Sequence, residues 1–356
     1  MSKLAALRPT NEAEERERFL AALSAGERYE PQLRYAQPRR AAEIRSSCDK
    51  HLSDEYAEIA QRIMRGVIDA HGSEAAYCEN VWGRTIERPE VDAACDAYLA
   101  QNGFDGEVDF IWSPHTLVTT CLGSKVHLVT RPRYYREARL ASLLDHEVGT
   151  HFVRAHNHRK VFGHAKWASR TTGWLLSTEE GLATINTVRS YDDKARAQPS
   201  PTRRARRRAT ALTVPACALQ RLWVPALHYH ACALASRLSF SSLWHELSDN
   251  LLGDDAERLW TTCMRCKRGL EDTGAPGGYY KDQANLRGAV RLLAARREID
   301  FTLLHCVRVS IEDFPRATPA ARRACAAGRV LLPRFVREAD AYRRELDEIA
   351  AANGIA

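Results

Sequence analysis

The sequence predicts an α+β fold that is predominantly helical and contains one small β-sheet. Most of the chain carries apolar residues at helical spacing, and prolines and glycines interrupt this pattern at intervals. Two neighbouring stretches, 107–112 and 125–129, are instead rich in β-branched and aromatic residues, as short strands are. A helix predicted at 135–155 follows directly, so we expect the sheet to lie beside it.

The helices are predicted from their start and stop signals. Asn11 is a candidate N-cap and Gly26 a stop, Pro89 suits a first turn, and Thr178 is a candidate N-cap for a helix that begins with two glutamates. Residues 1–10 are expected to be disordered, 121–124 to form a turn, 157–163 a loop, and 301–305 a short strand or loop. The remaining predicted helices are 11–25, 40–71, 89–102, 202–240, 241–252, 256–267, 281–295, 318–327 and 333–351.

The length of 356 residues suits one large domain or two smaller ones. We expect an N-terminal segment with a helix at 1–28 and a single catalytic domain at 29–356. The first 18 residues are charged and lack the apolar core of a secretory signal, and no apolar run is long enough to span a membrane. The sequence therefore predicts a cytoplasmic protein with no membrane partner.

The net charge of +7 favours acidic partners. The densest basic run, Arg203–Arg208, is interpreted as a solvated loop, with contact to an acidic polymer or a nuclear address as alternatives. An acidic peptide tail suits this charge, and nucleic acid is not expected as the partner. Ten scattered cysteines in a chain without a signal predict reduced thiols. A zinc site formed by Cys263 and Cys266 with His228 and His230 is a minor alternative.

The segment 145–151, with the sequence DHEVGTH, contains the residue types of a hydrolytic metal site. His146 and His151 bracket Glu147, and two more glutamates, Glu179 and Glu180, follow about thirty residues later. Two imidazoles and one carboxylate can hold zinc while another carboxylate moves protons. Their spacing alone leaves open which of the two later glutamates is the ligand.

The histidine spacing differs from that of the common zinc-hydrolase motif. HExxH places its histidines four residues apart on one helical face, whereas His146 and His151 are five apart. At about 100° per residue, a regular helix would rotate them about 140° apart. A π-turn, with its i→i+5 spacing, would restore a common face, and Gly149 would ease the distortion. Recruitment of His158 or His164 as the third ligand is a further alternative.

Four segments together resemble a known family, the microtubule-associated tyrosine carboxypeptidases. Residues 29–35 look like its NPxxxY-type segment, with Glu30 in place of Asn, and 146–151 look like its HE[IV]GTH core. Residues 179–183 are similar to its [QE]EGL[AP] segment. Residues 278–288 resemble its Gx[FY][TY][KR]DxxYLxG segment, with Asn285 in place of Tyr. The order and spacing of these segments cover about residues 29–290.

The resemblance implies a zincin-like fold and a zinc-dependent carboxypeptidase that removes a C-terminal tyrosine from an acidic tail such as that of α-tubulin. Zn²⁺ would be held by His146, His151 and Glu180, since Glu180 aligns with the family's glutamate before Gly-Leu. Glu147 would be the general base. Association with microtubules would follow from such a substrate.

A carboxypeptidase also needs groups that hold the free α-carboxylate of its substrate. Arginine pairs with carboxylates through two parallel hydrogen bonds, and lysine acts as a point charge. Arg287 and Lys281 are the candidates, and Tyr280 is a further substrate-binding candidate. The competing hypotheses are a basic helical interaction protein with a structural metal, and an endopeptidase or aminopeptidase that uses the same metal site.

Overall fold

The computed structural model describes residues 3–114, 116, 118–130, 134–163, 172–197 and 221–356. Its contacts divide the chain into two compact units, Met1–Ala75 with Trp223–Leu286, and Ala76–Leu222 with Arg287–Ala356. The single catalytic domain at 29–356 stays a prediction. The coarser expectation of a mostly helical α+β chain with one small sheet is confirmed within the described residues.

The first unit is helical in its described part. Its helices are α1 (Lys3–Ala6), α2 (Glu12–Ser24), α3 (Pro38–Ser46), a 3₁₀ turn (Asp49–His51), α4 (Ala57–His71), α10 (Trp223–Ala235), α11 (Phe240–Leu247) with a π-turn (Ser248–Leu252), and α12 (Ala256–Lys267). Helix α5 (Glu74–Trp82) and helix α13 (Gln283–Ala294) contain the residues at which the chain passes between units.

The second unit contains the sheet. Its helices are α6 (Arg88–Asn102), α7 (Glu137–His146), a π-turn (Glu147–Phe152), α8 (Val153–Phe162), α9 (Thr172–Ala197), α14 (Phe301–His305), α15 (Phe314–Ala326), α16 (Arg334–Arg337) and α17 (Ala339–Ala352). Its strands are β1 (Asp109–Ser113), β2 (Thr120–Leu122) and β3 (Lys125–Val129), in the order β1-β3-β2.

Strand β3 pairs parallel to β1 and antiparallel to β2, in a register that sets Cys121 opposite Val126. Gly123 takes a φ of 68° in the two-residue connection between β2 and β3, a conformation that suits glycine. The turn predicted at 121–124 is therefore shorter than expected, because Cys121 and Leu122 belong to a strand.

The sheet packs on the helix that carries the two histidines. Val126 and Leu128 of β3 share one buried cluster with Leu144, Val148 and Phe152 of the helical segment. Burial of these side chains stabilises the contact by about 1.5–3 kcal/mol each. The expected position of the sheet beside this helix is thereby confirmed.

Several predicted helices are confirmed with small shifts in their ends, among them 11–25, 89–102 and 256–267. Asn11 does not cap α2, however. Its side chain instead donates to Gln32 O at 2.8 Å and accepts from Arg34 N at 2.8 Å. Residues 1–10 were wrongly expected to be disordered: within their described part α1 forms and Leu7 is buried.

The helix predicted at 40–71 is broken. Helix α3 ends where Ser46 and Ser47 donate their hydroxyls to carbonyls of the preceding turn, and Leu52 is extended. Side-chain hydrogen bonds of this kind compete with helix continuation. The prediction of a separate helix start at Thr178 is also wrong, because Thr178 lies inside α9 and accepts from Ile311 N at 3.1 Å.

Two loop predictions are wrong for identifiable reasons. Residues 157–162 continue α8, where the amide of Asn157 bonds to His305 O and Leu331 O. Residues 301–305 form α14, because the Asp300 carboxylate accepts from Leu303 N at 3.1 Å and caps it. Of the helix predicted at 202–240, residues 202–220 lie outside the described residues, and Pro225 falls in the first turn of α10.

Candidate metal centre

Helix α7, the π-turn that follows it and helix α9 bring His146, His151 and Glu180 together. One nitrogen or oxygen atom from each side chain lies within 4.8 Å of the others. The two imidazole rings are 4.9 Å apart between centroids, and His151 Nε2 lies 3.9 Å from Glu180 Oε2. Two imidazoles and one carboxylate at these separations fit a three-ligand metal site, with a fourth position left for water.

The π-turn at Glu147–Phe152 explains how two histidines five residues apart share one face. Thr150 Oγ1 donates to Asp145 O at 2.8 Å, and Asn186 Nδ2 donates to Thr150 Oγ1 at 2.8 Å. The Asp145 carbonyl, which lies where the helix widens, thereby gains a hydrogen-bond donor. This stabilises the π-turn, which is otherwise uncommon. The predicted π-turn is confirmed.

Gly149 is needed here for space and not for an unusual backbone angle, contrary to the expectation from the sequence. Its φ is not among the positive values. A Cβ at this position would lie 2.7 Å from Tyr98 Oη and 3.1 Å from Phe335 Cε1. The Tyr98 hydroxyl is held there because it donates to Asp145 Oδ1 at 2.9 Å.

Both histidines have an outer hydrogen-bond partner on α9. His146 Nδ1 lies 3.0 Å from Thr187 Oγ1, and the Thr187 hydroxyl donates to Ala183 O at 2.8 Å, so Nδ1 is the donor in the first contact. His151 Nδ1 lies 3.1 Å from Glu179 Oε1. Donation from both Nδ1 atoms leaves both Nε2 lone pairs for a metal.

Glu179 is buried and belongs to a charged cluster. Burial alone would raise its pKa, but Arg154, His151 and Arg308 outweigh burial and lower it to about 2. Arg154 is fully buried and pairs with Glu179 Oε2, while Arg308 Nε lies 3.4 Å from Glu179 Oε1. Glu179 is therefore already engaged by cations, whereas Glu180 faces the two imidazoles.

The carboxylates around His151 also change its proton affinity. Burial lowers the pKa of His151, but the hydrogen bond to Glu179 and the charges of Glu180, Glu179 and Glu147 outweigh burial and raise it to about 9. A cation is thus favoured at this position. Both a proton and a metal ion satisfy that preference, so the two compete for the ring.

Glu147 is 7% exposed and held against the edge of the sheet. Its Oε2 accepts from the backbone N–H of Cys121 in β2 at 2.8 Å, and its Oε1 lies 4.0 Å from His146 Nε2. One carboxylate oxygen is therefore fixed by the strand while the other lies beside the histidines. This arrangement suits a carboxylate that exchanges protons with a metal-bound water.

Helix α9 is held in place by a backbone contact with α13. A Cβ on Gly181 would lie 2.2 Å from Gly288 C, and a Cβ on Gly288 would lie 1.7 Å from Ser177 O. No residue larger than glycine fits either position without displacing a helix. This contact fixes the position of Glu180 along the axis of α9, because Glu180 immediately precedes Gly181.

Comparison with known proteins finds curated relatives that match almost the whole chain. The chain is 29% identical to the human microtubule-associated tyrosine carboxypeptidase 1 and 28% identical to the rat protein, in each case over 98% of the chain and 68% of the relative. It is 27% identical to the mouse putative tyrosine carboxypeptidase MATCAP2, over 98% of the chain and 62% of the relative. The chain is therefore similar, over almost its whole length, to the microtubule-associated tyrosine carboxypeptidases. No protein-family model matches it.

The structure places the substrate-binding candidates as follows. Arg287 is 7% exposed and its guanidinium carbon lies 5.7 Å from the Trp174 ring centroid, with Arg291 stacked closer at 4.3 Å. Tyr280 and Lys281 lie in the first compact unit, where Tyr280 is buried and Lys281 half-buried. The roles of these three residues stay predictions.

The alternative metal ligands are not supported. Among the residues that the structure describes, the group of three that could hold a metal is His146, His151 and Glu180. His158 Nδ1 instead accepts from Arg308 N at 3.2 Å. His228 and His230 form no such group with the cysteines, and Cys266 Sγ lies 3.9 Å from Cys232 Sγ.

Two predictions from the sequence fall outside the described residues, namely the ligand alternative His164 and the basic run at 203–208.

The described cysteines are free thiols, as predicted. In the described part of the chain, no helix combines the length and the apolar character that crossing a membrane requires. No local sequence pattern points to Arg154, Arg308 or Thr187, because each acts through a contact between distant segments.

Proposed function

We propose that the chain is a zinc-dependent metallocarboxypeptidase with a zincin-like fold, and that it removes a C-terminal tyrosine from an acidic protein tail such as that of α-tubulin. The observation that carries the proposal is the convergence of His146, His151 and Glu180 beside the buried carboxylate of Glu147. The names of the relatives supply the substrate class, since they describe tyrosine carboxypeptidases associated with microtubules.

The residues fit zinc by their chemistry. Imidazole nitrogen and carboxylate oxygen are typical zinc ligands, and a tetrahedral zinc site would bring these atoms to roughly 3.4 Å from one another. The 3.9 Å between His151 Nε2 and Glu180 Oε2 requires only a small adjustment. When bound, zinc supplies a water of lowered pKa and polarises the scissile carbonyl.

In this mechanism Glu147 accepts the proton of the attacking water and delivers it to the leaving amine of the tyrosine. The hydrogen bond from Cys121 N holds Oε2, so Oε1 is the atom that takes the proton. Glu179 and Thr187 keep the Nε2 atoms of the two histidines directed at the metal. Lys281, Arg287 and Tyr280 are proposed to hold the substrate, Arg287 through its α-carboxylate.

The test is mass spectrometry of an acidic peptide that ends in Glu-Glu-Tyr, incubated with the purified protein with and without a chelator. We expect loss of one C-terminal tyrosine, abolished by chelation and restored by zinc. Glu147→Gln should retain zinc, measured by elemental analysis, and lose turnover by at least about 100-fold, in line with the contribution of a general base.

The same experiment separates the alternatives. Internal cleavage or loss of the N-terminal residue would replace the carboxypeptidase with a peptidase of other polarity. Tail binding without cleavage, unchanged in Glu147→Gln, would identify a basic interaction protein with a structural metal. A purified chain without zinc affinity would contradict the proposal outright.

A further inference from the structure

Arg308 places an exposed positive charge at the edge of the candidate metal centre. Its side chain is 49% exposed, and its Nε lies 3.4 Å from Glu179 Oε1. That same oxygen lies 3.1 Å from His151 Nδ1. One carboxylate therefore separates the guanidinium of Arg308 from a candidate zinc ligand.

The backbone around Arg308 is rigidly held from the interior. Arg154, which is fully buried, donates to the carbonyls on either side, with Nε 3.1 Å from Val307 O and Nη2 2.9 Å from Val309 O. The N–H of Arg308 donates to His158 Nδ1 at 3.2 Å. An exposed side chain on a fixed backbone is preorganised, which lowers the entropy lost on binding a ligand.

Arg308 is the second arginine that pairs with Glu179, so compensation of the Glu179 charge accounts for only part of its role. Arg154 already pairs with Glu179 in the interior, where the pairing of a buried carboxylate is needed. The Arg308 side of this second ion pair is 49% exposed, so solvent screens it and its contribution to stability is small, about 1 kcal/mol. Within the described part of the chain, the ion pair of Arg308 joins its Nε to Glu179, and neither Nη1 nor Nη2 donates a hydrogen bond. These two terminal nitrogens can donate two parallel hydrogen bonds to a carboxylate of a ligand.

We propose that Arg308 binds a carboxylate of the substrate peptide through Nη1 and Nη2 while Glu179 holds its Nε. The inference rests on the proposed carboxypeptidase function and adds a specificity-determining residue to it. An acidic tail offers two sources of this group, its terminal carboxylate and its acidic side chains. Arg287, which is 7% exposed, is the residue proposed above for the terminal carboxylate, so the acidic side chains of such a tail need a further cation.

The test compares Arg308→Ala, Arg308→Lys and the control Arg322→Ala, which removes the same charge from an exposed position on α15. Three peptides are used: one ending in Glu-Glu-Tyr, its C-terminal amide, and one ending in Gln-Gln-Tyr. We measure kcat and KM separately, zinc affinity by chelator competition, and peptide Kd by fluorescence anisotropy on the inactive Glu147→Gln background.

Arg308→Ala should raise KM and Kd for the Glu-Glu-Tyr peptide about 10- to 100-fold, as loss of a charge-assisted hydrogen bond does. Values of kcat and zinc affinity should stay within about threefold, Arg308→Lys should recover part of the loss, and Arg322→Ala should change neither constant. An effect that vanishes with the amide assigns Arg308 to the terminal carboxylate. One that vanishes with Gln-Gln-Tyr assigns it to the acidic side chains.

An unchanged KM and Kd, an equal change for all three peptides, or a loss of zinc affinity that accounts for the whole effect would overturn the assignment. The measurement of peptide Kd on the Glu147→Gln background does not depend on turnover. Failure of the proposed function, seen as uncleaved peptide with wild type, is therefore distinguishable from failure of the Arg308 assignment.

Discussion

Gly181 and Gly288 touch backbone to backbone, and this contact sets the position of the helix that carries Glu180. The clearance is so small that a Cβ on Gly181 would lie 2.2 Å from Gly288 C. Both glycines belong to the segments that resemble the tyrosine carboxypeptidases. Their presence there has a steric explanation that does not involve catalysis directly.

Gly181→Ala and Gly288→Ala should therefore each destabilise the protein by about 3 kcal/mol, the upper end of the range for overpacking a core, and should weaken metal binding. Denaturant unfolding and chelator competition measure the two effects. Gly106→Ala is the matched control, because its φ is +76° and no heavy atom lies within 4 Å of the added carbon. It should lose only about 1–2 kcal/mol, the penalty of a left-handed backbone. Equal losses at Gly106 and Gly181 would contradict the steric explanation.

Gly149→Ala should be destabilising because the new methyl group meets the Tyr98 hydroxyl at 2.7 Å. We expect a loss of about 1–3 kcal/mol in the free energy of unfolding. Tyr98→Phe removes the clashing oxygen, so Gly149→Ala should be less damaging in that background than in wild type. A double-mutant cycle by denaturant unfolding tests this, and additive losses would mean that Tyr98 is not the obstacle.

Glu179→Gln should lower metal affinity about 10- to 100-fold, because an uncharged amide orients and polarises the His151 ring less well. Glu180→Gln should lower it further, since it removes a proposed ligand. Chelator competition ranks the variants, and the absorption spectrum of a cobalt-substituted protein reports the geometry. If Glu179→Gln proved the more damaging of the two, the ligand and the orienting residue would have to be exchanged.

Metal binding should release protons at neutral pH. The pKa of His151 is raised to about 9 in the metal-free protein, so the ring is mostly protonated at pH 7.5 and must lose that proton to bind zinc. Calorimetry in buffers of different ionisation enthalpy should show about one proton from His151. Glu179→Gln removes the hydrogen bond that raises this pKa, and the released fraction should fall.

The sign of the accompanying stability change follows from the same raised pKa. In the metal-free protein, the pairing of protonated His151 with Glu179 contributes its full stability below the ordinary pKa of about 6.5, and this contribution is lost as the pH rises through about 9. Thermal unfolding of the metal-free protein between pH 6 and 10 measures it. A stability that increases across that range in wild type but not in Glu179→Gln would contradict the assignment.

The π-turn could be predicted from the sequence because two histidines five residues apart allow few ways of sharing a face. The α9 helix start at Thr178 could not be predicted correctly. Thr178 and Glu179 have the residue types of a helix N-terminus, but tertiary partners, Ile311 N for Thr178 and Arg154 for Glu179, use those side chains instead.

The contacts that surround the candidate metal ligands could not be predicted from the sequence either. Arg154 follows His151 by three residues and would be interpreted as a surface residue of a helix, yet it is fully buried and bonds to carbonyls about 150 residues away. Such contacts depend on how distant segments pack, and local periodicity carries no information about them. Asp300, by contrast, is a local N-cap signal for α14 that the sequence alone contains.

Helix α9 supplies Glu180, the partner of His151 and the partner of His146, all within residues 179–187. A rotation of this single helix by one residue would misplace a ligand and both tautomer-fixing contacts together. The centre should consequently assemble in one cooperative step, and partially formed versions that bind metal weakly should not accumulate. A substitution that displaces α9 at its contact with α13 would then abolish metal binding as a whole.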